Sequence, residues 1–204
     1  MHTKGTLAAA IWLLGFATHA NAAFINELHY DNAGGDVGEG VEIAGLAGLS
    51  LDGWSLLLYN GSNGSVYGSE MLSGVIDDEG SGYGAVYFDI AGMQNGGPDG
   101  VALVDAGGQV IQLLSYEGSF IASDGAAAGL TSIDIGVAED SSTAAGESLQ
   151  LVGAGAVPGD FTWAGPRDAT PGLLNVGQSL APVPVPAALP LLASALGLLG
   201  LRRR

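Results

Sequence analysis

The 204-residue chain carries 21 acidic and only 5 basic residues, a formal net charge of -16. So few Lys and Arg cannot neutralise a phosphate backbone, which argues against nucleic acid as a partner. The absence of Cys removes disulfides, thiolate metal sites and cysteine nucleophiles, and a hydrophobic fraction of 48% separates the chain from disordered acidic tails.

The N-terminus reads as a secretory signal over residues 1–22. His2 and Lys4 supply a weakly basic start, residues 7–17 are an apolar run, and Ala20-Asn21-Ala22 is a small-x-small cleavage site. Signal peptidase is the partner this implies, and the mature chain is expected to begin at Ala23.

Residues 23–180 are expected to form one domain, large enough to bury a core without disulfides. No stretch keeps a 3.6-residue apolar period. Short β-type runs separated by Gly, Asn, Asp and Ser recur instead. Residues 24–30 alternate, with Phe24, Asn26, Leu28 and Tyr30 on one face and Ile25, Glu27 and His29 on the other. Further strands are expected at 41–43, 54–59, 85–90, 101–104, 110–116, 148–152 and 161–164. Asp105-Ala106-Gly107-Gly108 is the strongest hairpin signal. The Ala-rich stretch 125–129 is compatible with a helical turn or a loop. Eight short strands joined by turns predict an all-β sandwich.

The strand-associated motifs carry a resemblance. Phe24-Ile25-Asn26-Glu27-Leu28 comes first, then Gly40-Val41-Glu42-Ile43 and Leu51-Asp52-Gly53-Trp54. Asp99-Gly100-Val101-Ala102-Leu103-Val104-Asp105 and Ser115-Tyr116-Glu117-Gly118 follow, then Trp163, Pro166, Thr170-Pro171-Gly172 and Asn175. In this order they resemble the lamin tail domain, in its bacterial secreted branch. The resemblance implies an immunoglobulin-like β-sandwich that serves as a binding or targeting module with no catalytic signature. Such domains also accompany nucleases and phosphatases, so a hydrolase accessory domain or subunit is the alternative.

Residues 181–204 form a second address. Val183-Pro184-Val185-Pro186-Ala187 is a stiff segment, because each Pro fixes its own φ and restricts its predecessor. An apolar run at about 187–201 follows, then Arg202, Arg203 and Arg204. At about 1.5 Å per residue a helix over this run spans roughly 22 Å, short of a hydrocarbon core of about 30 Å, so a thinned bilayer or temporary insertion suits it. The terminal arginines place the C-terminus in the cytoplasm and the domain outside. This order resembles the PEP-CTERM sorting signals, in the variant with a Val-Pro-Leu-Pro-Ala core, with Val185 replacing Leu. The resemblance implies an exosortase-type protease in a Gram-negative bacterium. It also implies display on the surface or release into an exopolysaccharide matrix, and a permanent membrane anchor is the alternative.

Candidate sites are few. His29 is the single histidine after the signal, and no Gly-x-Ser-x-Gly element accompanies it; packing or hydrogen bonding within a sheet is its expected role. No Walker Gly-Lys pair is present, and no Lys at all beyond Lys4. The chain is therefore read as non-enzymatic, with no cofactor required. The acidic stretch 31–42 is the candidate ion site, with Asp31, Asp36, Glu39 and Glu42 as calcium ligands, since Ca²⁺ takes six to eight oxygens and a Gly-rich loop can bend to supply them. It is not an EF-hand, because Ala33 and Gly35 stand at ligand positions and Asp36 where Gly is required. A solvated acidic loop is the alternative. Tyr59, Tyr67, Tyr83, Tyr87 and Tyr116 with Asn60, Asn63 and Asn95 are candidates for a carbohydrate face or, alternatively, ordinary strand packing, and Trp54 and Trp163 are expected in the core. All 21 acidic residues lie in the domain beside one base, Arg167. Spread evenly, such charges sit about 19 Å apart, beyond the Debye length of about 8 Å, so they serve solubility and do not by themselves require a metal.

Overall fold

The computed structural model describes residues 23–181. The expected signal peptide with its cleavage site at Ala20 and Ala22 lies outside the described residues. So does the sorting signal with its apolar run and arginine cluster. The described chain is all-β, in two sheets. The strands are β1 (Ala23–His29), β2 (Gly40–Leu46), β3 (Ser55–Asn60), β4 (Ser65–Met71), β5 (Tyr83–Asp89), β6 (Asp99–Val104), β7 (Val110–Tyr116), β8 (Ile133–Asp134), β9 (Glu147–Gly155), β10 (Thr162–Asp168) and β11 (Gln178–Leu180). The first sheet runs β10-β9-β1-β2-β5, with β11 added in parallel to β9, and the second runs β4-β3-β6-β7-β8.

All eight expected strands are present, the one at 110–116 with the expected ends and the other seven with shifted ends, and three more accompany them. The sequence Ser-Val-Tyr-Gly-Ser-Glu-Met of β4 has little apolar alternation because it is an edge strand with mostly half-exposed side chains. The other two, β8 and β11, are too short to carry a period. Strand β10, at the edge of its sheet, runs through Pro166, which lies in a break of its ladder with β9 between Ala164 and Arg167, where a missing N–H is tolerated. The hairpin at Asp105 is as expected, and its carboxylate accepts the N–H groups of Gly107 and Gln109 at 2.9 and 2.8 Å. Residues 125–129 form a turn, not a helix.

The phase expected for β1 is corrected. The pairing of β1 with β2 slips between Ile25 and Glu27, so Asn26 is an extra residue in the ladder. A bulge of this kind inverts the alternation beyond it. Ile25, Leu28 and Tyr30 therefore enter the core between the sheets, and Phe24 packs in a second cluster on the outer face. Asn26, Glu27 and His29 make polar contacts away from the core.

The core between the sheets includes Ile25, Leu28, Ile43, Leu56, Leu103 and Leu149, all at most 1% exposed. Each such side chain contributes about 1.5–3 kcal/mol on burial. Tyr30 and Tyr116 stack within this core with ring centroids 3.7 Å apart. Trp54 is buried and Trp163 half-buried, packed between the central and outer clusters. The outer face of the second sheet is covered by Phe120, Ala122 and Ala127, whose segment packs on Tyr59 and Leu113.

Candidate functional site

His29, near the start of the acidic stretch, lies on the outer face of β1 and is almost fully buried. Its Nδ1 lies 2.9 Å from Glu139 Oε1, and its Nε2 lies 3.2 Å from both Asn32 Oδ1 and the Val37 carbonyl oxygen. The Asn32 amide orientation is set by its neighbours: Nδ2 donates to the Ala33 and Gly35 carbonyls, and Oδ1 accepts the Val37 N–H. Both ring nitrogens therefore face acceptors, which favours a proton on each. The Glu139 hydrogen bond raises the His29 pKa above 6.5 in spite of burial. An imidazolium held this way has no lone pair with which to act as a general base. Glu139 also accepts the N–H groups of Tyr30 and Asp31 at 2.7 and 3.1 Å, so the pair ties β1 to the segment before β9.

The acidic stretch is organised by the Asn32 side chain rather than by converging carboxylates. Asp36 is exposed and accepts from Asn32 N–H at 3.3 Å and Asn95 Nδ2 at 3.4 Å. Glu39 is buried and accepts the Gly92 N–H at 2.6 Å. Asp31 is buried at the end of β1, and Glu42 points from β2 toward Asn26 and Gly172. Among the described residues no three carboxylates or imidazoles come together in a group able to hold a metal ion. The structure therefore does not bring Asp31, Asp36, Glu39 and Glu42, the expected calcium ligands, into one group. Strand geometry separates them: residues on β2 and in the loop before it are drawn to different backbone donors.

Three glutamates that sequence reasoning did not group do act together. Glu27, Glu42 and Glu79 accept the backbone N–H groups of Thr170, Gly172 and Leu174 respectively, at 3.1, 2.8 and 2.9 Å. The donors lie on a segment that turns at Thr170–Leu173, where the Leu173 N–H donates to the Thr170 carbonyl at 2.9 Å, so that alternate N–H groups face the three glutamates. Asn175 completes the attachment by donating from Nδ2 to the Asn26 and Leu151 carbonyls, both at 3.0 Å. Glu42 is fully buried here, and burial, with the nearby charges of Glu27 and Glu79, pushes its carboxyl pKa up to about 8. It is thus largely uncharged at neutral pH. The signal in the sequence was Thr170-Pro171-Gly172 with Asn175, but only the fold identifies the three glutamates it meets.

The tyrosines are used internally. Tyr59, Tyr83 and Tyr116 are buried, the Tyr67 hydroxyl accepts Gln94 N–H at 2.9 Å, and the Tyr87 hydroxyl donates to the Gly38 carbonyl at 2.7 Å. Of the candidate asparagines, Asn60 binds Gln94 and Asn63 caps the turn before β4. These residues pack and brace strands and do not form a shared aromatic platform.

The surface with the clearest binding geometry lies beside β7. Strand β8 pairs only with Leu114 and Ser115, so among the described residues no strand flanks residues 110–113 on the side away from β6. A groove of about 520 Å³ runs there, with residues 110–114 as one wall and residues 157–159 as the other. Leu130 and Ile133, 46% and 67% exposed, extend its apolar lining. No charged side chain lines this groove, although the surrounding domain carries every acidic residue of the chain. The Ser115 carbonyl accepts the Ile135 N–H at 2.8 Å, so Ser115 directs its backbone groups away from β6. Leu113, two residues earlier, directs its own the same way. An unpaired strand edge in an apolar groove can receive an extended polypeptide by strand addition. Comparisons with protein-family models, curated proteins and solved structures give no match to this chain.

Proposed function

We propose that this chain is a non-enzymatic, exported binding module that takes an extended, uncharged polypeptide segment along the open edge of β7. The observation that carries the reading is the uncharged groove beside a strand edge left unpaired among the described residues, in an otherwise acidic domain. Backbone pairing would supply affinity, and the apolar lining would select alternate side chains. The engagement of both His29 nitrogens by acceptors supports a structural role for the chain's best candidate base.

The resemblance to lamin tail domains supports an immunoglobulin-like assignment for the two sheets and a targeting role for the domain. Residues 183–187, the apolar run and the terminal arginines support sorting by an exosortase-type system, to the cell surface or an exopolysaccharide matrix. In that setting the module would join envelope or matrix proteins to one another.

Titration of residues 23–181 with short uncharged extended peptides, followed by backbone NMR, tests the binding site. Shifts should concentrate at Leu113, Leu130 and Ile133, and Ile133→Lys should weaken binding while leaving the fold intact. Shifts confined to another surface, or none with any peptide, would reject the reading. Cell fractionation with mass analysis of the mature protein tests export and trimming. A cytoplasmic protein of full-length mass would reject both.

A further inference from the structure

We propose that residues 169–175 are a strap released by deprotonation: the opposed carboxyls of Glu27 and Glu42 together hold one proton, and its loss frees the strap from the first sheet. Release uncovers the apolar face beneath. The device lies on the first sheet and does not rest on the groove beside β7.

The placement of charge is the first argument. Glu27 on β1 and Glu42 on β2 are paired directly across the ladder, and both are fully buried. Side chains placed this way start about 5 Å apart. Half-buried Glu79 reaches the same strap from the segment before β5. On β5, Tyr87 stands opposite Glu42, and burial raises its pKa, so it stays protonated. Asp89 and Glu147 line a cleft of about 430 Å³ together with Glu27, Ala169 and Pro171. Residues 169–175 contain no titratable side chain. His29 is committed to Glu139, the single ion pair among the described residues, so Arg167 on β10, beside exposed Asp168, forms none. No cation therefore balances the opposed carboxyls.

The hydrogen bonds supply the second argument. The Thr170 hydroxyl lies 2.8 Å from Glu27 Oε2 and 3.0 Å from Asn175 Oδ1, and its one hydrogen serves only one of them. Asn175 cannot be turned round, because its Nδ2 donates to the Asn26 and Leu151 carbonyls. Gln150, opposite Glu27 on β9, is held by Nε2 donation to Ser148 Oγ and the Asp168 carbonyl. Its buried Oε1 meets no donor among the described residues. Acceptors on this face thus outnumber hydrogens. A proton on the carboxyl pair lets Glu27 donate to Thr170 Oγ1 while Thr170 donates to Asn175.

Loss of that proton leaves two opposed charges, with Glu79 nearby, under a cover of protein. The Asn26 and Gly172 donors favour the charged form of Glu42. Burial, with Glu27 and Glu79, outweighs them and pushes its pKa up to about 8. Strands β1 and β2 are each paired on both sides, so they cannot move apart to admit water. Residues 170–175 join no strand ladder, and side chains from the sheet hold them, so the strap is what lifts. Lifting it withdraws Leu174 from the cluster of Phe24, Ala44, Tyr83, Ala85 and Leu151 on the outer face.

Amide hydrogen exchange of the full chain in detergent micelles, normalised to the intrinsic rate at each pH, tests the proposal. With the strap lifted the Glu42 carboxyl titrates near 4.5, and with it closed at about 8. The closed form is therefore fully favoured below 4.5 and loses ground as pH rises toward the closed value. Protection at Thr170, Gly172 and Leu174 should fall about tenfold per pH unit from pH 5 to about 8, then level off. Ala102, paired on both sides in β6, should stay at least about a hundredfold better protected throughout. In Glu42→Gln the strap amides should lose the slope. Equal protection of the strap and Ala102 at every pH would mean that the strap leaves only with the whole fold, and overturns the proposal. Strap protection that does not change with pH overturns it as well, and so does a slope that survives in Glu42→Gln.

Discussion

Raising the pH from 4.5 to about 8 should destabilise this domain, and Glu42 should be the main reason. In the unfolded chain its carboxyl ionises near 4.5, whereas in the fold burial holds it protonated up to about 8. A raised carboxyl pKa means that the unfolded state loses its proton first. Stability from this group is complete below 4.5 and is lost as pH rises through the folded value. At about 1.4 kcal/mol per pH unit over the gap from 4.5 to about 8, the loss is roughly 5 kcal/mol, a large share of an ordinary folding free energy. His29 acts in the same direction, since its raised pKa gives stability that is full below 6.5 and lost as the imidazolium is titrated above it. Asp99, raised by burial, adds to the trend. Asp78, Asp140 and Asp160 oppose it only in stronger acid, because hydrogen bonds from neighbouring backbone or serine groups lower their pKa values below the ordinary 3.8. Maximal stability is therefore expected at about pH 4–5, below the usual range for folded proteins. Urea denaturation followed by tryptophan fluorescence, repeated across pH 4–8.5, measures the profile. Glu42→Gln supplies the internal control. It retains one of the two acceptors that Asn26 and Gly172 use, so it should be less stable than the parent by about 1 kcal/mol near pH 4.5. With no carboxyl to ionise, it should lose the slope and become the more stable protein near pH 8. A parent whose stability is flat or rising from pH 5 to 8, or two curves that never cross, would show that Glu42 is not a buried neutral acid.

His29→Ala should destabilise the fold by about 3 kcal/mol, because it leaves the buried Glu139 carboxylate without its cation; chemical denaturation at pH 6 measures this. Asn175→Ala should lower stability by about 2 kcal/mol, since the Asn26 and Leu151 carbonyls lose their donor, and should make residues 170–178 the first to exchange amide protons. Calcium or chelator should leave the thermal midpoint unchanged, because the carboxylates of residues 31–42 do not converge. A calcium-dependent rise would restore an ion site there.

The strand-rich character, the hairpin at Asp105 and the positions of eight strands were legible because apolar β-runs and turn residues are local signals. The polar β4 and the two shortest strands were not, since they exist only through pairing with neighbours. The bulge at Asn26 left no local mark either, yet it decides which side of β1 meets the core. For the candidate ion site, twelve residues rich in carboxylates looked like a binding loop. In the fold Asn32 fills that loop, and the carboxylates face separate donors. Glu27, Glu42 and Glu79 come from three distant places in the chain, and no spacing rule joins them.

Composition and short motifs alone determined the charge of the domain, the absence of thiol chemistry and the β-rich class. These are sums over residues or properties of adjacent ones. Tertiary structure decided which acid has its pKa pushed up by burial, that the histidine lies between acceptors, and that among the described residues no strand flanks residues 110–113 of β7 on the side away from β6. Each of these depends on what long-range packing places beside a group or leaves missing, because dielectric surroundings and unpaired backbone are properties of neighbours in space.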